Sequence, residues 1–353
     1  MVSAWIRKHL TFKSACKRRN FHESLRPDRV SAAKNIVLCF PVEDRHLDQI
    51  QSACPGANVI NAGQEGIPDA IVQADIFCGH AKVSLDWPRV VQQGRLQWIQ
   101  SSAAGLDHCL VPSVIESEIP VTSASGLFAN QVAEQTFALL FGLFRSLPAF
   151  FRASLKAQFV RRPTDDLHGK TIGIVGFGGN GTRIAQLLAP FGNRILATDY
   201  WPRQRPAYVD QLWTPEGLPQ LLVESDVVIL CMPLNHQTRH MIGRTELGLM
   251  KAGSYLINVA RGPVVDETAL VQAIESGHLK GVGVDVTEVE PLPADSPLWT
   301  MENVLITPHV GAQSHRRVSD TVDFFCQNLQ RFMKGQPLMN QVDKVLGFPG
   351  PMV

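Results

Sequence analysis

Residues 170–181 read Lys-Thr-Ile-Gly-Ile-Val-Gly-Phe-Gly-Gly-Asn-Gly, and the chain runs on to Ala-Thr-Asp at 197–199. Residues 171–175 are a short, apolar, β-branched run of the kind that makes a buried strand. Gly176, Gly178 and Gly181 follow with the spacing G-x-G-x-x-G. Ile184, Leu187, Leu188 and Phe191 then fall at i, i+3, i+4 and i+7, one apolar face of a helix. A second apolar run, 194–198, ends on Asp199, about twenty residues beyond the glycines. Strand, glycine turn, helix, strand and acid predict one mononucleotide-binding half of a Rossmann sheet.

Each residue type in that stretch has a physical task. Gly176 permits the tight turn, Gly178 lets the backbone approach a pyrophosphate, and Gly181 lets helix and strand pack closely. Gly179 and Asn180 open the helix, whose N-terminal amides and dipole favour phosphate. A carboxylate at Asp199 accepts the ribose hydroxyls of NAD and repels the extra phosphate of NADP. Arg203 and Arg205 lie just beyond it and leave NADP as the second choice.

Working outward, 353 residues suit two domains, each with its own core. A formal net charge of +1 gives no electrostatic case for nucleic acid or a membrane surface as partner. The longest apolar run, around 137–144, is too short to span a bilayer. Seven scattered cysteines with no C-x-x-C pair read as small core residues in a reducing compartment, so a cytoplasmic location is expected. Residues 1–33 are basic and acid-poor and lack a signal-peptide apolar stretch. They read as a disordered tail or an early-assigned start, with an organellar transit peptide as the alternative.

Strands are expected at 35–40, 74–78, 96–99 and 120–122, then a long helix over about 129–147. After the glycine turn come strands at 226–231, 255–258, 281–285 and 304–306, completing six parallel strands. A final amphipathic helix at about 314–335 carries Val318, Val322, Phe325, Leu329 and Phe332, and 337–342 is a short tail. The fingerprint lies mid-chain, with an α/β region before it and a helix after the last strand. This order predicts a dinucleotide domain, 136–313, inserted into another domain built from 34–135 and 314–345.

In open α/β sheets, ligands bind beyond the carboxyl ends of the strands. Three such ends carry Arg261, Glu290 and His309. Hydride exchange with a 2-hydroxy acid needs this set. A histidine moves the proton, a carboxylate orients the imidazole and steadies its charged form, and a guanidinium grips the substrate carboxylate. Small residues after the strand at 96–99, Ser101 to Gly105, expose backbone amides suited to a carboxylate. His236 and His240 are spaced as a metal pair, but no third ligand follows, and no metal is expected.

At these residues the chain resembles the D-isomer-specific 2-hydroxyacid dehydrogenases, a family that includes phosphoglycerate, glyoxylate and hydroxypyruvate reductases. The matching stretches are Ala104-Gly105-Leu106-Asp107, Val132-Ala133-Glu134, Gly176 to Gly181, Asn258-Val259-Ala260-Arg261-Gly262, Asp285-Val286 through Glu290-Pro291, and Thr307-Pro308-His309-Val310-Gly311. The resemblance implies an α/β protein of two Rossmann-like domains, the NAD-binding one inserted into a flavodoxin-like substrate domain. It implies His309 as acid/base, Glu290 as its partner and Arg261 as the substrate-orienting residue. Backbone groups at Ala104 and Gly105 would hold the substrate carboxylate, and Asp285 the nicotinamide carboxamide. Cys231, Met232, Pro233, Thr238, Val259 and Ala260 would line the cofactor pocket, and His309 would face it. It implies a homodimer with the 129–147 helix at the interface. Thr287 departs from the family pattern, where many relatives carry an aromatic residue. The regulatory domain of longer phosphoglycerate dehydrogenases is not expected after the last helix. The expected substrate is a small 2-keto or 2-hydroxy acid. The residues named read only a carboxylate and an adjacent carbonyl, which glyoxylate, hydroxypyruvate and phosphohydroxypyruvate share. A dinucleotide-sensing protein, like the family's corepressors, is the alternative reading, since those relatives keep the same triad.

Overall fold

The computed structural model describes residues 33–201 and 204–350. The readings made for residues 1–32 and for Arg203 lie outside them. The described chain forms two compact units, one of residues 33–127 with 314–350 and one of residues 128–313.

The first unit is a five-stranded parallel sheet: β1 (Asn35–Leu38), β2 (Asn58–Asn61), β3 (Ile76–Cys78), β4 (Trp98–Gln100) and β5 (Val121–Thr122), in the order β2-β1-β3-β4-β5. This is the flavodoxin order. Four helices connect the strands: α1 (Asp44–Ala53), α2 (Gly63–Ala70), α3 (Trp87–Gln92) and α4 (Pro112–Glu116). Strand side chains alternate between two cores, as the period of two requires. Val37, Phe77, Ile99 and Val121 enter one core, and Ile36, Leu38, Ile76 and Trp98 enter the other.

The second unit is a seven-stranded parallel sheet: β6 (Thr171–Val175), β7 (Arg194–Thr198), β8 (Gln211–Trp213), β9 (Val227–Leu230), β10 (Ser254–Asn258), β11 (Leu279–Val284) and β12 (Val304–Ile306). The order is β12-β11-β10-β9-β6-β7-β8. Its helices are α5 (Ala129–Phe144), α6 (Leu147–Ser154), α7 (Gly179–Leu188), α8 (Leu218–Glu224), α9 (Arg244–Leu249) and α10 (Glu267–Glu275). Ile172, Ile174, Ile229 and Ile257 face one core with α5 and α7. Val175, Val228, Leu230 and Leu256 face the other with α8, α9 and α10. Both faces are covered, which is why the central strands read as unbroken apolar runs. The expected class, two Rossmann-like α/β domains, is the one found.

The last helix, α11 (Arg317–Met333), belongs to the first unit. Of the predicted stripe, Val322, Phe325, Leu329 and Phe332 enter the core while Val318 is half-buried, and Phe325 and Phe332 stack on Trp98 at 5.4 Å.

Four details differ from the sequence reading. Strands β2 and β8 were not expected, because both are short edge strands with exposed or half-buried residues. The helix expected over 129–147 is two helices, parted at Ser146, which takes a left-handed φ of 53°. The last helix spans Arg317–Met333, inside the expected 314–335. The tail is a small antiparallel pair, β13 (Val342–Asp343) with β14 (Phe348–Pro349). Among the described residues no single helix is long and apolar enough to cross a membrane.

Close packing at the start of α7 is set by Gly181. A Cβ there would lie 2.1 Å from the Gly176 carbonyl oxygen, which is backbone and cannot rotate away. Gly181→Ala is therefore expected to lower stability by about 1–3 kcal/mol. Thermal unfolding would show this as a fall in Tm of about 2–12 °C; an unchanged Tm would mean the helix yields without cost.

Candidate active site

All seven strands of the second unit are parallel, so their carboxyl ends share one rim. The glycine turn stands there after β6. Gly176 has a φ of 92°, and a Cβ on it would lie 2.7 Å from the Met232 amide nitrogen. The turn after β6 and the Cys231-Met232-Pro233 segment after β9 are thus in backbone contact. Gly178 behaves in the opposite way: a Cβ there meets nothing within 4 Å. Gly178 is also the N-cap of α7 and offers no side chain to cap the helix, whose first internal bond is from the Thr182 amide to Gly178. A glycine with open space over a helix N-terminus is what a pyrophosphate needs.

Asp199 follows β7 and is half-buried, its Oδ1 accepting from the Trp201 amide at 3.3 Å. Gly179 and Asn180 form the first turn of α7. Burial pushes the Cys231 thiol up to about 12, so it stands as a neutral, apolar wall. The Thr238 hydroxyl donates to the Pro233 carbonyl at 2.7 Å and shapes the 233–238 turn. These residues fit a dinucleotide, with the phosphates at the open glycine and a ribose at the acid.

At the other end of the rim, β10, β11 and β12 deliver three loops. The His309 ring donates from Nδ1 to Glu290 Oε2 at 2.9 Å, both side chains partly exposed. Burial works against the Glu290 charge. The His309 hydrogen bond and charge, the Thr287 amide and the Arg261 charge outweigh it and hold the carboxyl below its usual value. Glu290 is therefore an anion throughout the neutral range. Arg261 turns back on its own strand, donating from Nη1 to the Ala260 carbonyl at 2.7 Å. Val259 and Ala260 are buried beside it. The next residue, Gly262, is pressed against the Glu290 loop: its Cβ would lie 1.8 Å from the Thr287 carbonyl oxygen. Arg261, Glu290 and His309 are thereby brought to one place.

Ala104 and Gly105 belong to the first unit, on the turn after β4, with Ala104 exposed. The Ser101 hydroxyl braces that turn through the Ala103 amide and carbonyl, at 3.1 and 3.0 Å.

Several supports were not foreseen. Thr287, singled out for its departure from the family pattern, donates from its hydroxyl to Val289 at 2.8 Å and from its amide to Glu290 at 3.3 Å. Glu288 and Glu267 exchange side-chain and backbone bonds at 3.1 and 3.0 Å, tying the Glu290 loop to the start of α10. His240 bonds Glu288 at 2.7 Å, so this half of the H-x-x-x-H pair serves the same loop. Asp285, buried to 3% exposure, binds Thr307, Val310 and Gly311. No sequence periodicity signals these contacts: the Thr287 bonds lie inside an irregular loop, and the others join segments that follow different strands.

Residues 137–311 match the family model for the D-isomer specific 2-hydroxyacid dehydrogenase NAD binding domain. A glyoxylate reductase of Thermococcus litoralis is 35% identical over 261 residues, covering 71% of this chain and 78% of that protein. Two solved structures are similar throughout. The D-isomer specific 2-hydroxyacid dehydrogenase of Xanthobacter autotrophicus, in complex with NADPH and MES, has a TM-score of 0.76 at 29% identity, over 90% of this chain and 100% of that one. A D-isomer specific 2-hydroxyacid dehydrogenase family protein of Aeromonas salmonicida has a TM-score of 0.76 at 30% identity, over 89% and 100% of the two chains. With the rim geometry and these likenesses together, the chain belongs to the D-isomer specific 2-hydroxyacid dehydrogenase family.

Proposed function

We propose that the protein is an NAD-dependent reductase of small 2-keto acids, interconverting them with D-2-hydroxy acids. The observation that carries this reading is the His309–Glu290 hydrogen bond at 2.9 Å on the rim that also bears the open glycine turn. The bound nicotinamide supplies or accepts the hydride.

The remaining work falls to side chains of this chain. Because Nδ1 of His309 is engaged by Glu290, Nε2 is the nitrogen that gives a proton to the substrate oxygen in reduction and takes it back in oxidation. The ionised Glu290 fixes the ring and stabilises the imidazolium. Arg261 presents a planar, permanently charged fork to the substrate carboxylate and carbonyl. The backbone at Ala104 and Gly105 is assigned to the same carboxylate. The Asp285 carboxylate accepts three bonds from its own chain. A carboxylate has about four acceptor positions, so one remains for the nicotinamide carboxamide.

Asp199 favours NAD over NADP by charge. The Xanthobacter relative was solved with NADPH, but in this chain Arg205 donates to the Val209 carbonyl of its own loop. Glyoxylate and hydroxypyruvate are the first substrates to consider, since the Thermococcus relative is a glyoxylate reductase. A homodimer is proposed from the exposed apolar side chains on and just after α6: Phe151, Leu155 and Phe159 are 67%, 86% and 91% exposed. A reducing cytoplasm suits the buried free thiols of Cys39, Cys54, Cys78 and Cys109.

Oxidation of NADH, followed at 340 nm across a panel of 2-keto acids, tests the activity. His309→Ala is expected to lose ~10²–10⁴-fold in kcat and to keep NADH binding. Binding of NADH without turnover of any keto acid would instead indicate a sensor. Asp199→Ala should weaken NADH about tenfold or more, roughly 1.4 kcal/mol, and unchanged affinity would remove the case for NAD. Gly178→Ala should leave Tm unaltered, because the added methyl meets open space, yet weaken NADH by obstructing the pyrophosphate.

The Glu290 shift sets a pH dependence. A carboxyl held below its usual value adds stability above that value, and the stability is lost as pH falls through the lowered one. In catalysis the carboxylate favours the protonated imidazole that reduction requires. Glu290→Gln should therefore move the alkaline limb of the keto-acid reduction profile to lower pH. A limb that stays in place would show that Glu290 does not act on the proton carrier.

A further inference from the structure

His309 occupies a costly backbone position. Its φ is 54°, in the left-handed region that non-glycine residues seldom enter. Something must hold the 307–311 loop there. The His309 amide donates to the Asp285 carbonyl at 2.7 Å. The next two amides, Val310 and Gly311, donate to Asp285 Oδ1 and Oδ2 at 3.0 and 2.7 Å. One buried carboxylate thus grips the loop on the far side of the histidine, and the rotation of that carboxylate decides where the loop sits.

That rotation is fixed from outside the loop's own amides. Thr307 Oγ1 lies 2.7 Å from Asp285 Oδ1, and Gln135 Nε2 of α5 lies 2.8 Å from the same hydroxyl. A threonine hydroxyl has one proton. The Gln135 amide nitrogen can only donate, so the Thr307 proton is directed to Asp285. The reverse orientation of the Gln135 amide would draw that proton away and leave two acceptor oxygens facing each other at 2.7 Å. Direction along Gln135, Thr307, Asp285 and the loop amides is therefore set by chemistry alone. Gln135 also lies near the far end of the loop: a Cβ added at Gly311 would come within 3.7 Å of its Cγ. Its bond to the loop is the one to Thr307, two residues before His309.

We infer that Thr307 and Gln135 are positioning residues for His309. Thr307 fixes the Asp285 carboxylate, and Gln135 forces the hydroxyl to point at it. Neither touches substrate, and the inference rests on His309 being the acid/base.

The test compares Thr307→Val, Thr307→Ser, Gln135→Met and Gln135→Glu with the wild type and with His309→Ala. The assay uses NADH and whichever of glyoxylate and hydroxypyruvate the wild type reduces faster. Thr307→Val keeps the shape and loses the proton. A misplacement of the order of 1 Å costs as much as ~10²-fold, and kcat should fall by about 10- to 100-fold. KM for the keto acid should stay within about threefold while kcat falls, and Thr307→Ser should restore kcat. Gln135→Glu puts a second acceptor on the hydroxyl and should lower kcat more than Gln135→Met, which only removes the donor. If Thr307→Val or Gln135→Glu merely lowers Tm, with kcat per folded enzyme unchanged, the positioning role is overturned while His309 stands. If His309→Ala keeps wild-type turnover, the reading of the site falls and this inference with it.

Discussion

Burial of a parallel sheet on both faces is the constraint on which this molecule turns. Strands β6, β7, β9 and β10 send side chains into both cores, and a polar group in the middle of such a strand would lose its water without replacement. The chemistry is therefore confined to strand ends. Because the strands are parallel, the carboxyl ends lie together, and residues up to about 130 positions apart in sequence meet on one rim. The order β12-β11-β10-β9-β6-β7-β8 then puts β6, with the glycine turn, beside β9, where the strand order reverses. The reversal opens the crevice that a dinucleotide occupies.

Loops gathered on a rim are not yet a site; they must be held to each other. Here the holding is largely backbone against backbone. Gly176 meets Met232, Gly181 meets Gly176, and Gly262 meets Thr287, each at a distance that admits no Cβ. Gly178 lies among them with empty space above it. The contrast separates two uses of glycine on one rim: three allow chain segments to touch, and one leaves room for something that is not protein.

Sequence and structure part company along the same line. Periodicity reports burial, and the strands that are buried on both faces were legible, as was the α11 stripe that packs on Trp98. The edge strands β2 and β8 were not, because one-sided pairing leaves their residues polar or half-exposed. The break at Ser146 was hidden too: apolar residues continue across it, and a single left-handed residue has no signature when it is not glycine. For the site, the residues at strand ends could be named from the sequence because topology alone collects them. Their supports could not. The reciprocal Glu267–Glu288 bonds, the His240–Glu288 pair and the Gln135–Thr307 bond span 21, 48 and 172 residues, and each depends on where two loops come to rest.

Glu290 shows why such supports matter. Its side chain is 40% exposed, so water screens much of its attraction to His309. A pair in that setting gains little from charge alone and needs its geometry supplied. The Thr287 amide and hydroxyl fold the loop around Glu290, Glu288 fastens the loop to α10, and Gly262 admits it against the Arg261 strand end. On the other side, the left-handed His309 is held through Asp285. The two partners are thus fixed by separate networks: the carboxylate through the loop after β11, held to the β10 end and to α10, and the imidazole through the loop after β12, held to Asp285 at the end of β11. A hydrogen bond too weak to assemble the site can still be short and well directed when both of its ends are set by the fold.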